Sequence, residues 1–223
     1  MKAELINHMG SDLTVVNAAR VSFDKESKWS ENSDELLTKD KKLISYLASH
    51  NHWTPFSHAV ITLRETVPIF VARQRFKHMV GFTYNEVSRR YVDDTPEFYV
   101  PDVWRKRAEN KKQGSSDEEV TELLFGNYPE TIAVAYESTI SFCQETYASM
   151  LEAGVAPEQA RMVLPQSMYT SYYVTGSLAA FARAYKLRSE EHSQKEIQLL
   201  AEEWNKVIKP LFPVSWEALT NDS

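Results

Sequence analysis

Cysteine is nearly absent from this chain: Cys143 stands alone among 223 residues. A single thiol excludes an intramolecular disulfide and a cysteine-based metal cluster. It lies in YESTISFCQETYASML, beside Phe142 and one helical turn from Tyr147, where a small buried apolar residue is expected. Long apolar runs are missing as well. No stretch approaches the roughly 20 residues that cross a bilayer, and MKAELINHMGSDL lacks the apolar core of a secretory signal, so a cytoplasmic protein is expected. Basic charge is in deficit, with 25 Lys+Arg against 31 Asp+Glu and a formal net charge of -6. That argues against a general nucleic-acid binder, which needs a basic face to displace counterions. There is no G-x-S-x-G elbow, no G-x-x-x-x-G-K-[ST] phosphate loop and no G-x-G-x-x-G fingerprint. HNHWTPFSH holds His50, His52 and His58, but their spacing fits none of the usual zinc patterns, and no metal site is expected.

The composition that remains is that of a globular protein. A 43% hydrophobic content is enough for a substantial core, and 25% charged residues is ordinary. The one clear break is RKRAENKKQGSSDEE, Arg105 to Glu119, whose polar composition predicts a surface loop at 105–119. Ahead of it, SDLTVVNAARVSF reads as a short helix behind a Ser/Asp cap. DKKLISYLASHNH places Leu43, Tyr46 and Leu47 at helical spacing. HAVITLRETV alternates and is rich in β-branched residues, which predicts a strand. PIFVARQRFKH predicts a helix opened by Pro68, FTYNEVSRRYV an extended segment and EFYVP a short strand. The second half reads as helices over YPETIAVAYESTISFCQETYASMLEAG, PEQARMVL, GSLAAFARAYKLR and SQKEIQLLAEEWNKVIKPLF, the first ended by Gly154. The expected fold class is α+β, a small antiparallel sheet packed with helices, as one domain over 1–223.

Positive charge gathers in RQRFKHMVGFTYNEVSRRYV, which carries Arg73, Arg75, Lys77, Arg89 and Arg90 with the single acid Glu86. On a helix, Gln74, Lys77 and His78 share a face. On an extended segment, Glu86, Ser88 and Arg90 project to one side. Arginine forks suit phosphate oxygens, while a carboxylate and a hydroxyl can bond donors on a sugar or base; a solvent-facing Glu-Arg pair is the other reading of the same residues. In KLRSEEHSQKE, Arg188, His192 and Glu196 fall at steps of four and line one helical face if the helix is continuous. Arg161 stands in an otherwise apolar run, where a charge needs a partner or a ligand.

HWTPFSH, PIFVARQ, YNEVSRRY, ARMVLP with its following YT, and LRSEEHSQKEIQ occur in this order over nearly the whole chain, from AARVSF at Ala18 to SWEAL near the C-terminus. In this the chain resembles the flavin-dependent thymidylate synthases. The resemblance implies methylation of dUMP to dTMP, with methylenetetrahydrofolate as carbon donor, NADPH as reductant, FAD as hydride relay and a homotetrameric assembly. It also implies that no enzyme thiol activates the uracil ring. Matched position by position, Gln74, Arg75, Phe76, Lys77, Glu86, Val87, Ser88, Arg89, Arg90, Arg161 and Arg188 fall at dUMP. Among them Arg188 matches the catalytic arginine that favours ionisation of the ring. Ser22, His52, Thr54, Lys77, His78, Met79, Ser177, Leu187 and His192 match positions near FAD.

Two departures stand out. The family hallmark Arg-His-Arg, followed further on by serine, reads here as Lys77-His78-Met79 with Ser88. Ala179 stands where relatives often carry a flavin-binding arginine, and Arg183, one helical turn on, is the candidate replacement. Two alternatives remain open beside the methylating flavoenzyme. One is an enzyme placing another one-carbon group on a pyrimidine nucleotide, and the other is a non-catalytic nucleotide-binding relative.

Overall fold

The computed structural model describes every residue except 32, 34, 110–113, 222 and 223. Its elements run in the order β1 (Lys2–Met9), α1 (Asp12–Arg20), α2 (Thr38–Ser49), β2 (Val60–Pro68), α3 (Ile69–Arg75), β3 (Phe82–Glu86), β4 (Arg105–Arg107), β5 (Ser115–Glu119), β6 (Glu122–Phe125), β7 (Tyr128–Thr131), α4 (Ile132–Glu152), α5 (Pro157–Ala160), β8 (Tyr169–Ser177), α6 (Leu178–Ser189), α7 (Lys195–Ile208) and α8 (Pro213–Thr220). A four-stranded sheet has the order β1-β2-β8-β3, and β4-β5 and β6-β7 form two antiparallel pairs. The α+β class is as expected.

Chain contacts divide the protein into two compact units. The first holds Met1–Glu65, Arg75–Asn85 and Tyr172–Ser223, and the second Thr66–Gln74 and Glu86–Ser171. The core of the first unit comes from helices packed by their apolar stripes. Along α7, Ile197, Leu200, Ala201, Trp204 and Ile208 are fully buried, at the three- and four-residue spacing of one helical face. Each such large side chain contributes about 1.5–3 kcal/mol by leaving water. The buried carboxylate of Asp12 accepts from the backbone N–H groups of Val214 and Ser215 at 2.9 Å. It thereby satisfies donors that the start of α8 would leave bare. Arg20 pairs with Asp40 at 2.5 Å, tying α1 to α2.

In the second unit, Thr131 caps α4 by accepting from Val134 N at 3.4 Å, and Gly154 follows the helix at φ +85°, a conformation that favours glycine. The Tyr136 hydroxyl donates to the Tyr99 carbonyl at 2.6 Å, and Gln144 Nε2 to that of Pro96 at 3.0 Å. These bonds hold the chain around Phe98, itself bridged to Met168. That bridge is all that forms of the strand expected at EFYVP.

Several local expectations change. The polar stretch 105–119 carries strands at both ends, stapled by Arg105 Nε to Ser115 Oγ at 2.8 Å and Lys106 to Glu118 at 2.8 Å; its centre, 110–113, lies outside the described residues. On α2 the buried face is Asp40, Ile44 and Leu47, while Tyr46 is exposed and stacks on His50 with centroids 4.1 Å apart. Pro68 ends β2 instead of opening α3. Strand β8, where no strand was expected, buries Thr170, Tyr172, Val174 and Gly176 in strict alternation, and takes in Gly176 and Ser177, which were read as the start of a helix. Cys143 is half-buried rather than a core residue.

Candidate active site

Helix α3 ends at Arg75, so Lys77 and His78 lie in the loop beyond it and do not share a helical face with Gln74. The loop turns back through Gly81 at φ +81°, where an added Cβ would stand 2.9 Å from the Ala180 Cβ. The chain then enters β3. Strand β3 stops at Glu86, and Ser88 opens a turn in which its carbonyl accepts from Tyr91 N at 3.0 Å and Val92 N at 3.2 Å. The alternation expected of Glu86, Ser88 and Arg90 therefore breaks after Glu86. Likewise α6 ends at Ser189 and α7 begins at Lys195. His192 sits in the connection and Glu196 is buried, so Arg188, His192 and Glu196 form no common face.

A charged network organises the first unit. Glu65 belongs to the inward phase of β2 with Ile61, Leu63 and Val67, all 0% exposed. A carboxylate there needs a cation, and Arg75, also 0% exposed, supplies it at 3.1 Å. The Tyr172 hydroxyl donates to Glu65 at 2.6 Å. Aromatic rings surround the guanidinium, with Phe82 at 4.3 Å and Trp204 at 4.6 Å from its carbon. Burial alone would lower the Arg75 pKa, but the Glu65 carboxylate outweighs it and the net shift is upward. Burial, then Glu65, push Tyr172 well above the ordinary phenol range. Arg75 Nη1 also donates to the Tyr84 hydroxyl at 2.6 Å, and that hydroxyl donates to the His78 carbonyl at 2.7 Å. Burial is the chief cause that raises Tyr84 to about 12. Arg75 was expected to touch the nucleotide. The structure corrects this: a wholly enclosed guanidinium has no surface to offer a ligand, and it holds the Tyr84–His78 loop instead.

The half-buried ring of His78 accepts from Arg188 Nε at 2.8 Å. Burial first, then Arg188, Arg75 and Arg183, depress its pKa to about 4. Burial, and next Arg75, also lower the pKa of Arg188. Arg183 Nη2 donates to the Val80 carbonyl at 2.6 Å. Nearby in the same unit a cavity of about 660 Å³ is lined by His52, Trp53, Ala179, Arg183, Lys186 and Leu187, among others. Three residues expected near FAD thus share this cavity. Trp53 and Lys186 are additions that the sequence reading missed, although Trp53 lies within the quoted HWTPFSH. The volume falls in the range of small-molecule sites. Two cations beside aromatic walls fit a group with both a pyrophosphate and flat rings.

The remaining expected positions are more scattered. Ser22 is exposed in a 3-10 turn over Val21–Phe23, and Thr54 is exposed ahead of Pro55. Met79 is 74% exposed, Lys77 and His192 are exposed, and Phe76 is half-buried against Tyr172 with centroids 4.8 Å apart. Ser177 caps α6, its Oγ accepting from Ala180 N at 3.2 Å.

In the second unit Gln74 is half-buried, and Glu86 accepts from the Thr170 hydroxyl at 2.7 Å. Val87 N donates to the Ser171 carbonyl at 2.9 Å, which leaves the Val87 side chain exposed. Arg89 pairs with Asp94 at 2.5 Å, and Arg90 lies 3.7 Å from Glu158 with half its side chain in solvent. Arg161 is exposed rather than enclosed by apolar residues, its Nε donating to the Glu158 carbonyl at 3.3 Å. Among the described residues, no group of three or more His, Cys, Asp or Glu is placed to hold a metal ion.

A family model described as thymidylate synthase complementing protein matches residues 4–214. The chain is 40% identical over 217 residues to a flavin-dependent thymidylate synthase of Thermosipho africanus, covering 96% of this chain and 88% of that one. It is 37% identical over 218 residues to one from Thermus thermophilus, covering 96% and 73%. A crystal structure of the UMP/dUMP methylase PolB from Streptomyces cacaoi, bound with 5-Br dUMP, superposes with a TM-score of 0.79 at 30% identity. It covers 98% of this chain and 94% of that chain.

Proposed function

The chain belongs to the flavin-dependent thymidylate synthase family, and from that premise we propose that it makes dTMP from dUMP with FAD, NADPH and methylenetetrahydrofolate. It is an enzyme of the methyltransferase class. The observation that carries the reading is the meeting of His78 and Arg188 in the unit that also holds the cation-lined cavity. The residues of that cavity fit FAD: Arg183 and Lys186 would neutralise its pyrophosphate, and Trp53, His52 and Leu187 would offer surface to its rings. Ser22, Thr54, Lys77, His78, Met79, Ser177 and His192 lie outside the lining of that cavity and are assigned to FAD from the family resemblance alone. Bound there, FAD would supply the hydride chemistry of the reaction.

The protein's own residues bind and polarise the nucleotide. Arg188 is the catalytic group. A guanidinium stays cationic at neutral pH and stabilises negative charge on the uracil ring, which makes carbon 5 nucleophilic without a covalent enzyme adduct. Lys77 in the first unit, and Arg90 and Arg161 in the second, each have an exposed cationic end of a kind suited to a phosphate. Arg89 is held by Asp94 and shapes the same turn. Glu86 and Ser88 can accept from sugar or base donors, and Gln74, Phe76 and Val87 are the further positions that the family resemblance assigns to the nucleotide. No thiol is required, and Cys143 is left outside the chemistry.

We further infer a single functional domain, since one family model spans residues 4–214. A homotetramer is supported by apolar side chains open to solvent in the second unit, among them Leu124, Phe125, Tyr128 and Phe142. No helix among the described residues is long and apolar enough to cross a membrane, and a cytoplasmic location is proposed from the unpaired cysteine. The test is product analysis by mass spectrometry with all substrates supplied. The reading expects a methyl group on carbon 5 of dUMP; another one-carbon group, or no product from flavin-loaded protein, rejects it.

A further inference from the structure

Arginine Nε always carries a hydrogen and only donates. Its contact with His78 Nε2 at 2.8 Å therefore fixes the imidazole as the neutral tautomer, with its proton on Nδ1 and a lone pair on Nε2. An imidazolium would oppose N–H to N–H and break the contact. The ring's surroundings favour the neutral form: it is half-buried and faces the cations Arg188 and Arg183 from α6 and Arg75 from the end of α3.

The loop carrying His78 is itself anchored at three points. The Tyr84 hydroxyl, fixed by Arg75, holds the His78 carbonyl. Arg183 holds the Val80 carbonyl, and Gly81 makes the turn beside Ala180. Among the described residues the terminal Nη groups of Arg188 make no hydrogen bond. The side chain is thus gripped at Nε and left with its other donors to give. From this arrangement we propose that His78 is a positioning residue. Its neutral imidazole clamps Arg188 through Nε and sets the orientation in which the Nη donors meet the uracil ring.

The proposal rests on the reading that Arg188 acts on the nucleotide base. Misplacing a catalytic group by about 1 Å costs on the order of 100-fold in rate, and that is the loss expected in kcat for His78→Ala, with a smaller effect on the KM for dUMP. His78→Gln offers a carbonyl oxygen as acceptor and recovers part of the loss. The double variant His78→Ala with Arg188→Ala is no slower than Arg188→Ala alone, because the histidine acts through the arginine. All rates are taken per bound flavin, so that a loss of coenzyme is counted separately. A double variant slowed by the product of the two single effects, or His78→Gln no better than His78→Ala, overturns the proposal.

Calorimetry of 5-bromo-dUMP against dUMP supplies a readout independent of turnover. Bromine acidifies the ring, so a clamped Arg188 favours the bromo compound. Arg188→Ala and His78→Ala are expected to lose that preference to the same extent, whereas an undiminished preference in His78→Ala sinks the clamp. Wild-type protein that forms no thymidylate would reject the assigned reaction, while the calorimetric comparison would still decide the clamp.

Discussion

Replacing Glu65 by leucine strands Arg75, a guanidinium with 0% exposure, among aromatic rings. The wild-type pair is bound through Nε and Nη2 at 3.1–3.3 Å, and the carboxylate also accepts a hydrogen bond from the Tyr172 hydroxyl. Removing one partner of such a buried pair costs about 3–5 kcal/mol. The rings at 4.3–5.5 Å remain and still attract the cation, which places the expected loss near the lower end. Replacing Arg75 by methionine as well removes the stranded charge and puts a polarisable side chain among the rings. What then remains unsatisfied is the Tyr172 hydroxyl, worth about 1–3 kcal/mol, because Tyr84 keeps its bond to the His78 carbonyl.

The double variant Glu65→Leu/Arg75→Met is therefore expected to be more stable than Glu65→Leu alone. Urea denaturation followed by circular dichroism measures this. With slopes of about 1–3 kcal/mol per molar urea, the single variant should lower the midpoint by roughly 1–3 M, and the double variant by less. If the double variant loses the sum of the two single effects, the pair is not the coupled unit described here.

The depressed His78 pKa has a sign that can be followed. The unfolded chain takes up a proton on this ring near pH 6.5 and the folded chain only near 4. The ring's contribution to stability is complete above about pH 6.5 and is lost as the pH falls toward 4. A side-chain NMR titration should show His78 neutral through that window, and Arg188→Ala should raise its pKa part of the way back; titration near 6.5 in the wild type contradicts the geometry. Arg183→Ala should weaken FAD in a fluorescence titration, since Arg183 lines the cavity beside Ala179, and unchanged affinity removes its compensating role. Gly176→Ala would put a Cβ 2.4 Å from the Phe82 ring, which is itself wedged between Arg75 and Phe181. A loss of about 1–3 kcal/mol in thermal unfolding is expected, and a neutral outcome means the ring is free to move.

Much of the helical architecture was legible because capping and periodicity agree locally. Ser11 and Asp12 start α1 as read, and α7 carries a full apolar stripe, whereas the helix expected from Tyr128 opens only at Ile132, after strand β7. Family membership was legible from several motifs in order, none of which is specific alone. What stayed hidden depends on contacts distant in sequence. Helical spacing ran on past Arg75 toward Lys77 and His78, whereas α3 ends once Arg75 turns inward to meet Glu65 on β2. The basic cluster was read as ligand-binding or solvent-facing, and only the fold shows one of its arginines sealed in the core. One signal did exist: Glu65 occupies the inward phase of an otherwise apolar strand, and a carboxylate there announces a buried cation. The His78–Arg188 contact joins residues 110 positions apart, beyond the reach of any local pattern.

The proposed chemistry turns on thymidylate forming through a bound flavin and a fixed arginine, with no enzyme thiol. A single turnover of Cys143→Ala holoenzyme, reduced anaerobically by NADPH and then mixed with dUMP and methylenetetrahydrofolate, puts the flavin and the thiol to the test at once. The flavin should bleach with NADPH and regain its oxidised absorbance as one thymidylate appears per flavin. Thymidylate formed equally well by flavin-free protein, or lost with the cysteine, would contradict it.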